Sequence, residues 1–167
     1  FLTLNTPVNG TIDDGSGEGT IQNDDLAEYN INDVTQAEGS GGGTTAFNFT
    51  VSRTDGFGTG SVNFATSLTG SADASDLTAN SGTVNFANTE ITKTVTIQVN
   101  ADTDVEGDEN FFVTLNTPVN GTIDDGSGEG TILEDDFPNV TSIVRADANP
   151  TNATNVDVTV TFSHNVN

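Results

Sequence analysis

The chain is 167 residues long and sets 25 acidic side chains against 3 Lys plus Arg, a formal charge of −22. With no basic patch to displace counterions from phosphate, the composition excludes a nucleic-acid partner, and it opposes attraction to an anionic membrane. Yet only 17% of residues are charged and 32% are hydrophobic, with ten Phe, which is core material rather than the make-up of a disordered acidic tail.

Taken in chain order, the first element is a repeat. Residues 1–21, FLTLNTPVNGTIDDGSGEGTI, recur at 112–132 with one difference, Leu2 against Val113. The offset is 111 residues, and Asp24-Asp25 recurs as Asp135-Asp136. A period of that size is a domain, not a solenoid repeat. The expected organisation is a two-strand remnant of a preceding unit at 1–25, one whole unit at 26–136, and the opening strands of a different unit at 137–167.

Inside the whole unit the apolar residues alternate. Phe47, Phe49 and Val51 do so in TTAFNFTVSR, Val62 and Phe64 in SVNFATS, Val95, Ile97 and Val99 in TKTVTIQVN, and Phe111, Val113 and Leu115 after them. Period two with β-branched residues predicts half-buried antiparallel strands. GSGGG at 39–43, TDGFGTG at 54–60 and DDGSGEG at 124–130 read as turns between them. No stretch keeps a 3.6 period. The expected fold is all-β, a seven-stranded antiparallel Greek-key β-sandwich flanked by partial β-domains. In the last segment, VTSIVRA and NVDVTVTFSHNV predict two more strands, with Pro138 at the entrance, Pro150 at the first turn and His164 at the surface or a strand edge. Two strands cannot bury a core alone, so both ends need either flanking sequence or another chain.

The chain has no Cys, which removes disulfides, thiolate nucleophiles and zinc–thiolate sites. It opens on Phe, without a basic-plus-apolar leader or an apolar run of about 18 residues. A piece of a larger exported protein, with no direct membrane insertion, is the expectation.

The acids are clustered. ADTDVEGDENF holds Asp102, Asp104, Glu106, Asp108 and Glu109, and Glu134-Asp135-Asp136 closes the unit, whose cations are Arg53 and Lys93. Strand ends far apart in sequence converge at one pole of a sandwich, and oxygen-only anionic loops are what hard divalent cations require. Calcium, with six to eight ligands and irregular geometry, suits loops better than magnesium. A solvated acidic face kept for solubility is the competing reading. For Asp124 and Asp125 a turn role is the expectation.

At these residues a resemblance becomes specific. Glu38-Gly39 after the first strand, GSADASD ending in Ser75-Asp76, SGTVNF at 81–86, VEGDENFFVTL at 105–115 and TILEDD at 131–136 occur in the order seen in Calx-β domains, which this unit resembles along its whole length. The resemblance implies a sandwich that binds Ca2+ at one pole through Glu38, Asp76, Asp102, Glu106, Glu109, Glu134, Asp135 and Asp136. Departures are Ala101-Asp102-Thr103 in place of three aspartates, Glu134 in place of an Asp, and Leu77 in place of an aromatic. They imply fewer sites and weaker binding, in the range of about 10⁻⁴–10⁻³ M usual for extracellular modules. Residues 137–167 resemble the start of a bacterial immunoglobulin-like repeat.

The functional expectation is a structural and interaction module of a large repetitive extracellular protein, on a bacterial cell surface or secreted. Calcium at its acidic loops and junctions rigidifies the array, and its partners are calcium ions, neighbouring repeats and copies of itself. One alternative is a filament subunit assembled head-to-tail by strand complementation; another is a calcium sensor, which the thinned aspartate row opposes. An enzyme is not expected: no nucleophile–His pair is evident, and Tyr29 is the one Tyr that could stack on a sugar.

Overall fold

The computed structural model describes residues 1–146 and 154–163; Pro150 and His164 lie outside the described residues. Thirteen strands and no helix occur among them: β1 (Leu2–Thr3), β2 (Ser16–Gly17), β3 (Ala27–Ile31), β4 (Val34–Ala37), β5 (Gly43–Arg53), β6 (Gly60–Ser67), β7 (Ser81–Phe86), β8 (Thr92–Ala101), β9 (Glu109–Val119), β10 (Gly121–Asp125), β11 (Ser127–Leu133), β12 (Val140–Arg145) and β13 (Val158–Phe162).

Strands β3 to β11 form two sheets, ordered β10-β3-β5-β8 and β4-β11-β9-β6-β7. The chain passes between them at β5–β6, β7–β8 and β8–β9, which is Greek-key wiring. Alternation places Phe47, Phe49, Val51, Val62, Ile97, Val99, Phe111 and Val113 fully inside the sandwich, as the period-two pattern requires. Phe111 meets Phe47 and Phe49 with ring centroids 5.7 and 5.9 Å apart, the tilted contacts aromatic quadrupoles prefer.

The seven expected strands are present, but the first and the last are each broken in two. The first becomes β3 and β4 around Asn32-Asp33, and the last becomes β10 and β11 around Gly126, so each serves both sheets. The two broken strands pair parallel, Gly121 with Ala27 and Gly130 with Val34, where a wholly antiparallel arrangement is expected from hairpin-like spacing. Parallel direction follows because the seven strands alternate in direction, so an even number of reversals, six, separates the first from the last.

DDGSGEG is a second departure. Asp124 and Asp125 belong to β10, and Ser127–Gly130 lie in β11, antiparallel to β9. The glycines are there for close approach rather than for a turn. A Cβ on Gly130 would stand 2.4 Å from Phe111 Cζ, and one on Gly128 would stand 2.5 Å from the Asn32 carbonyl. The reversal itself occurs at Asn120, with φ +54°, a conformation Asn tolerates.

At the end of the sandwich reached by the C-terminus of β5, Arg53 is buried. Its Nε donates to the Glu90 carbonyl at 2.7 Å, and a terminal nitrogen donates to those of Gly56, Gly58 and Ala87. The guanidinium lies 5.2 Å from the centre of the Phe86 ring. Carbonyl dipoles and a ring face replace the water that this cation loses. Tyr29, also fully buried, donates its hydroxyl to the Val119 carbonyl at 3.0 Å. It is therefore withdrawn from any sugar-stacking role.

Outside the sandwich, β1 pairs with β2 and β12 pairs with β13, each as an isolated antiparallel pair.

The repeat supplies its own control for the packing of β11. Gly19 is the counterpart of Gly130, and no atom of the described residues lies within 4 Å of a Cβ built on it. Gly130→Ala is expected to cost about 1–3 kcal/mol by overpacking against Phe111, while Gly19→Ala leaves the thermal midpoint of the sandwich unchanged. Calorimetry on the two variants checks this.

Candidate metal centre

All eight acids singled out from the sequence lie at one pole, where β4 ends, β5 begins, β8 ends and β11 ends. Two compact trios stand out among the described residues. Glu38, Asp135 and Asp136 form one; Asp76, Glu106 and Glu109 form the other. In each, one carboxylate oxygen per residue lies within 4.8 Å of the other two. A cation about 2.3–2.6 Å from every ligand spans oxygen pairs of up to about 5 Å, which suits calcium, whereas octahedral magnesium at about 2.0–2.1 Å demands a tighter cage.

The first trio is assembled from both ends of the unit. Glu38 follows β4 and is buried, held where its own carbonyl accepts from the Thr45 hydroxyl. Asp135 Oδ1 accepts from the Gly39 amide at 3.3 Å, tying the terminal segment to the first strand. Asp136 is 5% exposed, and its Oδ2 is buried without a hydrogen-bond partner among the described residues. A buried carboxylate oxygen left without a donor is costly.

The second trio joins the β7-side loop to the start of β9. Asp76 is buried and accepts from the Asp73 amide, while its carbonyl accepts from the Asn100 amide at 2.6 Å. Leu77, standing where an aromatic is usual, is fully buried and bridges to Val99, so the loop is still pinned by a core side chain. Glu106 rides on the loop between β8 and β9, and Glu109 opens β9.

Asp102 and Glu134 stand between the trios in different roles. Asp102 is one of the charges that raise Glu38 and Glu106. Glu134 is a brace: its Oε2 accepts from the amides of Glu106 and Gly107 at 2.6 and 2.9 Å, and its Oε1 from that of Asp136 at 2.6 Å. Asp108 in turn accepts from the Glu134 amide at 3.0 Å. Asp73 is absent from the ligands read off the sequence, although it contributes to the field at Glu106 and Glu109. Its three-residue spacing from Asp76 is the signal that could have exposed it. Asp124 and Asp125 lie on β10, away from both trios.

Crowding shows in the acidities. Burial, reinforced by Asp102, Glu106, Asp136 and Asp135, pushes Glu38 up to about 7. Burial and the adjacent Asp76 carboxylate push Glu109 up to about 7 as well, and burial with Asp76 and Asp102 raises Glu106. Carboxylates at these separations repel by roughly 1 kcal/mol per pair even in water, and by more once desolvated.

The profile of the Calx-beta domain family matches residues 23–136, more than half of the chain. The chain belongs to the Calx-beta domain family. Among solved structures it is similar to the apo-form Calx CBD1 domain, at 23% identity and a TM-score of 0.60, covering 67% of this chain and 100% of that one. It is also similar to the calcium binding domain CBD12 of CALX1.1, at 23% identity and a TM-score of 0.58, covering 69% of this chain and 50% of that one. The Calx CBD2 domain follows at 16% identity and a TM-score of 0.52, covering 64% of this chain and 85% of that one. No curated protein sequence matches the chain. At these identities the solved structures establish the shared sandwich fold.

Because Glu38 and Glu109 titrate above the 4.5 of a free glutamate, the metal-free native state holds protons that the unfolded chain has already released. Stability contributed by these groups therefore falls as pH rises from about 4.5 to about 7. In chelator, the thermal midpoint is expected to be higher at pH 5 than at pH 8, and a Glu38→Gln, Glu109→Gln double variant loses much of that slope. A midpoint that climbs across this window contradicts the crowding.

Proposed function

We propose that the chain is a calcium-binding β-sandwich module of a repetitive extracellular protein, a binding and structural unit rather than an enzyme. The observation that carries this reading is the buried Asp136 Oδ2, without a hydrogen-bond partner among the described residues, within a compact carboxylate trio. The described solved relatives include a calcium binding domain, and the oxygen-only donor set agrees with the same ion. Glu38, Asp135 and Asp136 would hold one ion, and Asp76, Glu106 and Glu109 a second, with water or backbone oxygens completing each shell. Asp102 contributes field, and Glu134 holds the loop.

The first of these sites also bears on the array. Asp136 is followed by Phe137-Pro138-Asn139 and then directly by β12. A cleft lined by Ser40, Thr103, Asp135, Asp136, Phe137, Asn139 and Ser163 opens beside it. An ion bound to Asp135 and Asp136 fixes the first residues of the connection, so it stiffens the junction as well as relieving repulsion. A cell-surface or secreted setting is consistent with the low-affinity, junctional use of calcium.

A second reading, a filament subunit built by strand complementation, rests on the exposed apolar residues of the two isolated pairs. Ile143, Val144 and Val158 are exposed on β12 and β13, as are Leu2 and Leu4 near β1.

Calcium that binds only the folded state raises stability by mass action. For sites of about 10⁻⁴–10⁻³ M, 10 mM calcium gives roughly 1.4–2.7 kcal/mol per site, an increase in midpoint of about 5–10 °C. Differential scanning calorimetry of the full chain in chelator and in calcium measures it; equal midpoints refute calcium binding. Glu38→Gln with Asp136→Asn should abolish the part of the shift due to the junction site, and magnesium should give a smaller shift than calcium.

A further inference from the structure

Among the described residues, the two sheets of the sandwich end on four strands, β10 and β8 in one and β4 and β7 in the other. An edge strand offers a row of unpaired amides and carbonyls to any other strand, so proteins guard their edges with charge, bulges or cover. β10 carries Asp124 and Asp125, and Asp33 precedes β4. These acids repel another copy of a chain whose formal charge is −22. The flank formed by β7 and β8 has no acidic guard. From Gly56 to Ala72 and from Leu77 to Ala101 the ionisable side chains are Glu90 and Lys93 alone, and these two pair with each other at 2.8 Å.

The direction of each backbone group on β8 follows from two bonds. The Arg53 amide donates to the Ile91 carbonyl at 2.9 Å, and the Asn100 amide donates to the Asp76 carbonyl, outside the sheet, at 2.6 Å. β8 runs against β5 from Thr92 to Ala101 without a break in register, so the direction alternates strictly along it. Odd-numbered residues turn their amides and carbonyls to β5; Thr92, Thr94, Thr96 and Gln98 turn theirs to the open edge. The Leu77–Val99 bridge covers the last part of that edge and leaves the rest uncovered.

Side chains keep the same alternation. Thr94 and Thr96 are exposed on the outer face, Val95 and Ile97 are buried, and Lys93 shares their inward side. Lys93 thus stands at the mouth between the two sheets, lining a cleft of about 480 Å³ together with Val84 and Val95.

We propose that the β8 edge is a self-recognising interface for a second copy of this chain, and that Lys93 is the group that keeps it unpaired. Two β8 strands related by a two-fold axis at Val95 run antiparallel. Thr94 then lies opposite Thr96 of the second copy, and Thr92 opposite Gln98, with each outward amide facing a carbonyl. This register uses all four open residues and leaves out Asn100, which is already bonded. A slip of one residue would set inward side chains against outward ones. Copies of like charge meet here over the flank without net charge, whereas a cationic partner is drawn to the acidic pole. The obstacle is Lys93. It falls opposite Ile97 of the second copy, where its ammonium loses water and gains no acceptor from that copy.

The test removes this charge without stranding its partner, in the full chain carrying Lys93→Val and Glu90→Gln. Valine suits a strand, and calorimetry verifies that the sandwich stays folded. In chelator, which separates the result from calcium binding, sedimentation velocity should show the double variant associating at least about tenfold more tightly than the unaltered chain. Lys93→Thr with Glu90→Gln should give the same increase. Thr94→Pro added to the double variant removes an amide that faces the open edge and none that bonds β5, so it should abolish the added association and keep the fold. Val95→Cys, in a chain that has no other Cys, places two sulfurs at the two-fold axis. Non-hydrogen-bonded partners stand about 4.5 Å apart at Cα, within disulfide reach, so mild oxidation should link the dimer of the double variant. Folded neutral variants that associate no more tightly than the unaltered chain overturn the proposal. Association that survives Thr94→Pro, or a dimer that Val95→Cys leaves unlinked, overturns it as well by placing the contact elsewhere.

Discussion

The constraint on which the structure turns is the separation of charge along the sandwich. Carboxylates gather where β5 begins and β8 ends; Arg53 and Lys93 sit where β5 ends and β8 begins, Lys93 paired with Glu90 at 2.8 Å. Ten residue steps of extended chain are about 33 Å, several times the screening length of about 8 Å in physiological salt. The unit's own cations therefore cannot neutralise its acidic pole. What holds that pole together against repulsion is the backbone: amides of Gly39, Glu106, Gly107 and Asp136 all donate to carboxylates there. These bonds fix positions but leave net charge in place, which is why a bound divalent cation changes the balance more than any side chain present.

The opposite pole is organised by the inverse solution. Arg53 is a buried cation satisfied by carbonyl oxygens from two connections, β5–β6 and β7–β8, with Phe86 beneath it. Its acceptors are backbone carbonyls rather than carboxylates. One end of the sandwich has its charge matched by fixed dipoles, and the other keeps an excess of carboxylates. The broken first and last strands fit the same scheme. Because each serves both sheets, β4 and β11 bring Glu38 and Asp135 to one place, and the carboxylate trio joins the ends of the unit rather than decorating a single loop.

Much of the fold was legible because alternation is a local signal. Phe47, Phe49 and Val51 had to face one way once the segment was extended, and they do. Convergence of the acids was legible for the same reason: strand ends meet at poles. The partition of those acids was not. Which carboxylates form a trio, and that Glu134 spends its oxygens on amides, depends on the registers of β4, β9 and β11, which are set by tertiary pairing. The glycines of DDGSGEG were read as turn formers because composition cannot distinguish a glycine that permits φ from one that makes room for Phe111. The two copies of this sequence separate the effects directly. Turn geometry at Thr6 and Asn9 survives without the sandwich and is local; the steric demand at Gly130 exists only within it and is absent at Gly19.

That same comparison bears on how near-identical units coexist in one chain. Sequence identity between neighbouring domains favours wrong pairings during folding, and here residues 1–21 match residues 112–132 at all but one position. Two features keep the chain from folding onto that error. Ile132 pairs beside Gln36, about 25–30 Å along the first strand from Ala27, and the six residue steps from Ile21 to Ala27 span at most about 21 Å, so residues 1–21 cannot take the place of 112–132 in their own molecule. Residues 112–132 follow without a linker, Phe112 continuing β9 from Phe111, so closure in the correct order needs no search. A longer connection would remove the first safeguard while changing no contact in the folded unit. The length of the joint is thus as much a determinant of the correct fold as the core it connects.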